Sequence, residues 1–514
     1  TGGLSTTGSA LALAGSVPPD DAFQVRKLRQ AGAIILGKTN LHELASGITT
    51  ISSLGGQTLN PYDPTRNPGG SSGGTGAAIA ASFAAIGWGS DTCGSIRIPS
   101  AHNALFGLRP TKGLSSVDGV IPLSHSQDVA GPLARTVADL AIGLDATIGP
   151  DSADPATAVL RGRALPHFVG SLRPDALRGV RLGMLTSYFG AAAEDREVGD
   201  IVRRALERME ALGASVVVFG IPRLDSLVAG TALINHEFKF DLQDYLARTP
   251  AAPVGSLDEI LARGLHHSAL DAPFRARNAA PARETDAYRH ARAKRDTLHA
   301  TVLQRMDAER IDAIVYPTIR RKPARIGEPQ SGSTCQLSAS TGMPALSAPA
   351  GFTRDSLPVG IELLGRRFDD ARLVAMAYAY EQAVKPRKPP RTTPPLSLGA
   401  PRPVTFEATA VSGKMQTRAR FTFDPFREEL AYSVRVTGTA AERLHAVVLQ
   451  RDTAGQGGSI VARLNAPGSL NAEGRLSLTS SAREELRAGK WSLLVFTADY
   501  RGTPAARARL VLSR

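Results

Sequence analysis

The segment PGGSSGGTGAAIAASFAAIGWGSDTCGSIRIPS, residues 68–100, sets Ser71 and Ser72 side by side among glycines and places a further serine, Ser95, after a second glycine. Hydroxyls in that setting are candidates for acyl transfer. Glycine lets backbone amides approach a reacting group closely, and a turn over Thr92, Cys93, Gly94 and Ser95 aims N–H donors at the position where a carbonyl oxygen becomes an oxyanion. Two other chemistries fit less well. A phosphate-cradling loop ends in Gly-Lys-Ser/Thr, and this segment has no lysine. The pattern G-x-S-x-G occurs around both Ser71 and Ser72, but a nucleophile elbow follows an apolar strand, whereas the turn-rich PYDPTRNP precedes these serines. A flexible linker would not run straight into AAIAASFAAIGWGSDT, which reads as a buried helix and strand. An unassisted serine hydroxyl is a poor nucleophile at neutral pH, so the surrounding elements must also supply a base.

Those elements alternate helix with short apolar strand from about residue 20 to 385, the pattern of an α/β layer fold. PPDDAFQVRKLRQAG carries acidic residues at its start and Gly32 at its end, which predicts a helix, and AIIL at 33–36 predicts a strand directly after it. Thr136 to Asp139 reads as a capping box opening a helix through Ile148. Further strands are expected at 181–185, 214–219, 312–317 and 345–350, and long amphipathic helices at 195–212 and 281–308. VKPRKPPRTTPPLSLGAPRPV then loses all apolar periodicity and reads as an extended linker over 385–403. Beyond it, from 404 to 514, about seven alternating apolar and polar segments separated by turn signals predict a small all-β sandwich.

At 514 residues the chain is too long for one compact core. Hydrophobic content of 42% and charged content of 21% are those of a folded globular protein. No apolar run approaches the ~20 residues of a membrane helix, so no membrane span is expected. The formal net charge is +13, but its arginines are scattered among alanines, as in ARAKR and AARARL. They form no basic stripe interleaved with aromatics, so no nucleic-acid partner is expected. Cys93 and Cys335 are the two cysteines and make no disulfide framework. The chain opens on Thr1, and material upstream of it is expected to be missing. Oligomeric state is left open.

Residues 68–113 resemble the signature of the amidase signature family of serine hydrolases. The likeness extends through SQDVAGPLARTVADLA (126–141), EFKFDLQDYL (237–246), DAIVYPT (312–318) and TGMPALSAPAGF (341–352), and so covers roughly residues 1–383. The resemblance implies a mixed β-sheet core covered by helices and a Ser–Ser–Lys triad in place of Ser–His–Asp. Ser95 is then the acyl-forming nucleophile, and Ser71, 24 residues earlier, is the bridging serine whose peptide bond to the preceding glycine is cis. Ser72 has a supporting role. The amides of Thr92 to Ser95 hold the oxyanion, and Asp91 and Arg97 form an ion pair that fixes the turn. In the family the lysine ends an apolar strand, in a Lys-Asp or Lys-Glu pair, just ahead of the segment that TGGLSTT matches, which puts it outside this chain. Lys38 in GKTN follows a different strand and is expected to cap or pair within the fold.

Cys93 stands where glycine is commoner in the family and reads as a small-residue substitution that narrows the site. His42, His102 and His125 lie near the motif without ligand spacing to a partner, so neither a metal nor a cofactor is expected. The implied activity is hydrolysis of a small-molecule or peptide amide through an acyl-enzyme. The chain as it stands, lacking the lysine, is expected to be impaired. Two alternatives are the glutaminase subunit of a tRNA-dependent amidotransferase and a catalytically silent binding or scaffold protein. Residues 404–514 resemble a CHRD-type (chordin-like) β domain. Such domains commonly carry a histidine pair in the strand matching RLHAVVLQ and another histidine near VFTAD, and here His445 alone stands in those places, so the module is expected to serve structure or docking. That resemblance implies a periplasmic or secreted location.

Overall fold

The structure, a computed structural model, describes residues 2–390, 403–425, 428–453, 456–499 and 503–512. A short hairpin, β1 (Ile51–Ser52) and β2 (Gly56–Gln57), precedes an eight-stranded sheet. Its strands are β3 (Ile86–Ser90), β4 (Phe106–Arg109), β5 (Ala130–Ala134), β6 (Arg181–Leu185), β7 (Ser215–Phe219), β8 (Ala313–Pro317), β9 (Ala345–Phe352) and β10 (Pro358–Leu364). They lie in the order β3-β5-β4-β9-β10-β8-β6-β7. The sheet is mixed: β6 runs parallel to both β7 and β8, and the other pairs are antiparallel. β8 is buried at every position, as expected of a strand covered on both faces.

Helices Val137–Thr147, Ala193–Ala211 and Asp370–Val384 pack on this sheet around one large apolar core. The first starts where the capping box predicts, with the Thr136 hydroxyl accepting the Asp139 N–H at 3.1 Å. The helix Asp286–Ala308 is capped in the same way by Thr285. The expected strands at 181–185, 214–219, 312–317 and 345–350 are present within a residue or two. The expected strand at 33–36 is not. The helix Phe23–Gln30 precedes it, but residues 33–36 pair with no strand, and Ile34 and Leu36 are 85% and 73% exposed. A β-prone apolar stretch becomes a strand only when a neighbour accepts and donates along its edge, and among the described residues none does.

The linker lies mostly outside the described residues. Its start is held against the first part of the chain, since Arg387 donates to Ala80 O at 3.0 Å and Lys388 O accepts the Tyr62 hydroxyl at 2.6 Å. The C-terminal part contains one strand more than expected, β11 (Val404–Ser412). It is followed by β12 (Met415–Asp424), β13 (Glu429–Thr437), β14 (Leu444–Thr453), β15 (Gln456–Arg463), β16 (Asn471–Ser477), β17 (Trp491–Thr497) and β18 (Ala506–Arg509). The helix Ser480–Arg487, which the alternation hid, sits before β17. Two antiparallel sheets result, β11-β12-β13-β16 and β15-β14-β17-β18, and they share one apolar core. β12 alternates buried with more exposed positions along its length, as a strand with one covered face must.

The second of these sheets does not hang free. Ala446, Val448, Ile460, Leu494 and Phe496 join Leu11, Phe238, Leu242, Ile260 and Phe274 in a common buried cluster. The backbone crosses as well: Ile460 N–H donates to His266 O at 2.9 Å, and His267 Nε2 donates to Val461 O at 2.5 Å. Among the described residues no helix is long and apolar enough to cross a membrane.

Candidate active site

Strand β3 runs out into residues 91–95 and then into the helix Arg97–His102. Asp91, fully buried, organises that exit. Its carboxylate accepts the N–H groups of Gly94 at 2.7 Å and Ile96 at 3.1 Å, and also takes Arg97 Nε at 3.1 Å and Arg109 Nη1 at 3.0 Å. Arg97 reaches on to Glu362 at 2.5 Å, whose same oxygen accepts the Tyr316 hydroxyl at 2.8 Å. Burial alone would raise the Asp91 pKa, but the two guanidiniums outweigh it and hold the carboxyl well below its usual range. Gly94 has φ +89°, and a β-carbon there would meet Ile98 Cδ1 at 2.7 Å and Cys335 Cβ at 3.0 Å. Only glycine fits both demands.

The two serine segments meet at this turn, because Ser72 N–H donates to Ser95 O at 3.1 Å. The Gly70–Ser71 peptide is cis. Ser71 O accepts the His42 N–H at 2.9 Å, and Thr50 Oγ1 bonds Gly69 O at 2.6 Å while accepting Gly73 N–H at 3.1 Å. Gly74 lies so close to Asn40 that a β-carbon would stand 2.1 Å from its carbonyl oxygen. Ser72 Oγ reaches Ser90 O at 3.4 Å, tying the loop to the end of β3. Ser95 is 3% exposed. Ser71 is fully buried, and its Oγ has no hydrogen-bond partner among the described residues. A buried hydroxyl left in that state is costly.

The turn itself offers three donors rather than four. The Gly94 N–H is occupied by Asp91, while the N–H groups of Thr92, Cys93 and Ser95 have no acceptor among the described residues. Cys93 corrects the sequence reading more sharply. It is bonded to Cys335, 242 residues away, so it is neither a free thiol nor simply a smaller pocket wall.

Lys38 lies elsewhere. Its ammonium bonds Ser5 O at 3.0 Å, Leu4 O at 3.4 Å and the Thr6 hydroxyl, which is the pairing role expected of it. Lys112, whose pKa is lowered by burial, bonds the carbonyls of His125 and Asp128 at 2.8 Å each. His42 accepts the Thr49 and Thr50 N–H groups at 3.2 Å, and burial pulls its pKa down to about 3. His102 is buried with Nε2 on Arg321 O at 3.3 Å.

His125, by contrast, gathers the partners that its sequence neighbourhood hides. Its Nδ1 lies 2.9 Å from Asp241 and its Nε2 3.6 Å from Glu237, both over a hundred residues away. Those carboxylates could hold a cation, but they are engaged already. Glu237 accepts the hydroxyls of Ser124, Ser126 and Tyr288, and Asp241 accepts Arg283 at 2.6 Å.

The family model described as "Amidase" matches residues 1–374. The chain belongs to the amidase family. A Glutamyl-tRNA(Gln) amidotransferase subunit from Moorella thermoacetica is 36% identical over 405 residues, covering 75% of this chain and 81% of its own. Among solved structures, the native peptide amidase of Stenotrophomonas maltophilia superposes with a TM-score of 0.69 at 36% identity, over 76% of this chain and 82% of its own. The corresponding amidotransferase subunit from Thermotoga maritima superposes with 0.61 at 29% identity, over 74% and 80%. This amidase is therefore an amide-hydrolysing enzyme by family. Its turn also uses Arg109, Tyr316, Glu362 and Cys335, to which the sequence reading assigned no role: Arg109 and Tyr316 lie within segments that carry the resemblance, whereas Cys335 and Glu362 stand 240 and 267 residues from Ser95.

Proposed function

We propose that this amidase hydrolyses a linear carboxamide, on a small molecule or a peptide, with release of ammonia. The observation that carries the reading is the Ser95 turn with three unoccupied N–H groups, tied by the Ser72–Ser95 hydrogen bond to a buried Ser71 hydroxyl that lacks a partner. Ser95 Oγ attacks the carboxamide carbon, and its proton passes through Ser71 Oγ to a neutral lysine amine. The oxyanion takes the open N–H groups at the turn. The C–N bond then breaks, the proton moves to the leaving nitrogen, and ammonia departs from a Ser95 ester that water cleaves. We assign this step to a lysine outside these 514 residues; of the lysines nearest the motif, Lys38 bonds Ser5 O and Lys112 bonds His125 O. Burial has to keep such a lysine neutral for it to accept the proton.

The likeness to the S. maltophilia peptide amidase supports a peptide amide as substrate. A glutaminase role within a tRNA-dependent amidotransferase is the second reading, favoured by the M. thermoacetica and T. maritima relatives. Against it stands the C-terminal β module, which covers helices Ile234–Ala247, Leu257–Ala262 and Asp271–Asn278 with its own sheet. We assign that module, with its CHRD-like sequence, a docking role. We place the enzyme in the periplasm or outside the cell, a reading the Cys93–Cys335 disulfide supports because such bonds persist in oxidising compartments. The test is ammonia release from a peptide amide by the full-length protein, with fluorophosphonate labelling of Ser95. Ser95→Ala is expected to abolish both, and an unlabelled, inactive wild-type protein would favour the silent scaffold.

A further inference from the structure

The two cysteines meet at the turn that holds the open amides. Several of the other ties to the first half of this turn come from one side. Asp91 exchanges backbone hydrogen bonds with Val129 at 2.8 and 3.3 Å, Thr92 Oγ1 bonds Asp128 at 2.5 Å, and Thr92 O accepts Gln127 Nε2 at 3.2 Å. All of these partners lie in the stretch 127–129 that leads into β5. Cys93 is different: among the described residues neither its N–H nor its C=O makes a hydrogen bond. The flanking peptides are each held by one bond, Thr92 O to Gln127 and Gly94 N–H to Asp91. The α-carbon between them is fixed by the disulfide.

Cys335 gives that bond a firm far end. Its carbonyl accepts Arg97 Nη2 at 3.4 Å, and the Thr334 hydroxyl beside it spans Pro317 O at 3.0 Å and Thr318 O at 2.8 Å, at the end of β8. The disulfide thus joins the β3–β5 side of the turn to the β8 side, and its Cys335 Cβ packs against Gly94.

We propose that Cys335 is a positioning residue for acyl transfer: through its disulfide to Cys93 it holds the open amides of the turn where the oxyanion forms. This rests on the acyl-enzyme reading above. Both cysteines are half-buried, so a small dithiol reaches them. Reduction breaks the Sγ–Sγ bond, each sulfur leaves as a thiol with one proton, and the dithiol is oxidised to its cyclic disulfide. The nucleophile and the Asp91 network stay in place, but the Cys93 α-carbon is released. Losing one oxyanion donor outright costs about a hundredfold or more in kcat. Loosening donors without removing them should cost about tenfold, chiefly in kcat, because the effect falls on the transition state.

The experiment uses the full-length protein, purified without reductant, with a peptide amide as substrate. Alkylation with peptide mapping should find Cys93 and Cys335 protected before dithiothreitol and labelled after it. On reduction kcat is expected to fall about tenfold with KM changed less than threefold, to recover on reoxidation with oxidised glutathione, and to leave the circular dichroism unchanged. Cys335→Ser should start at the lowered kcat and not respond to dithiothreitol. A wild-type protein reduced at Cys93 and Cys335 that keeps its kcat within twofold would overturn the proposal, as would a rise in KM alone or labelling of these two cysteines in the untreated protein. A disulfide-bonded protein that neither labels at Ser95 nor releases ammonia would overturn the amidase reading itself.

Discussion

Asp91 lies outside the proposed proton path, yet four donors converge on its carboxylate from the backbone and from two arginines. It uses up the Gly94 amide and in doing so sets the directions of the amides left open. In Asp91→Asn two buried guanidiniums would face a neutral amide. Breaking a buried ion pair in that way costs about 3 to 5 kcal/mol, which denaturant unfolding would register. Hydrolysis should lose kcat with little change in KM. Unchanged stability would mean that water replaces the carboxylate. Ser71→Ala, which removes only the hydroxyl proposed as the relay, is expected to fold normally while kcat falls by at least about a hundredfold. The two serines proposed for the chemistry, Ser71 and Ser95, come to notice in the sequence because one continuous glycine-rich block carries both. Cys335 and Glu362 do not, because their meaning lies in contacts spanning 242 and 265 residues.

Elements with their own local signals were legible: the helix capped by the Thr136 hydroxyl, and the apolar strands β6 and β8, whereas the helix expected from 281 starts only at Asp286, behind its Thr285 cap. Residues 33–36 misled because an apolar stretch says nothing about who pairs with it, and β11 was missed because it follows directly on the linker. No pattern announces the turn Glu43–Ala45. Glu43 is fully buried, and its carboxyl accepts the Ser53 N–H at 2.6 Å and the His267 N–H at 3.2 Å while its second oxygen has no partner. Burial pushes its pKa up to about 7 from 4.5. The folded state therefore keeps a proton that the unfolded chain has lost between those values. Its stabilising contribution is complete below pH 4.5 and is lost as pH rises through 7. Between about pH 5 and 8 the wild type should lose on the order of 2 kcal/mol relative to Glu43→Gln, which has no proton to lose. Parallel pH profiles from urea unfolding would show that Glu43 ionises normally.

At the scale of the whole molecule, the β module and the α/β part share an apolar cluster and a backbone hydrogen bond, so they should unfold as one cooperative unit. The chain supplies its own reporters, because its two tryptophans fall one on each side. Trp88 lies on β3, its indole N–H on Gln24 at 3.2 Å, and Trp491 is fully buried on β17 with its indole N–H on Glu485 at 3.1 Å. In Trp491→Phe the remaining fluorescence follows the catalytic part, and in Trp88→Phe it follows the module. Each reporter is read against circular dichroism of the same variant, and the two signals should give coincident midpoints. Ile460→Ala, which empties a buried site in the shared cluster, removes about 2 to 5 kcal/mol and should move both reporters together, even though Trp88 is not in that cluster. If the module melted first and left the Trp88 signal unmoved, the docking would be loose, and the module could be shed without loss of the fold that carries Ser95. If the midpoints move together, the module is part of what keeps helices Ile234–Ala247 and Asp271–Asn278 in place, and with them the wall formed by Glu237 and Asp241 beside the 123–129 loop.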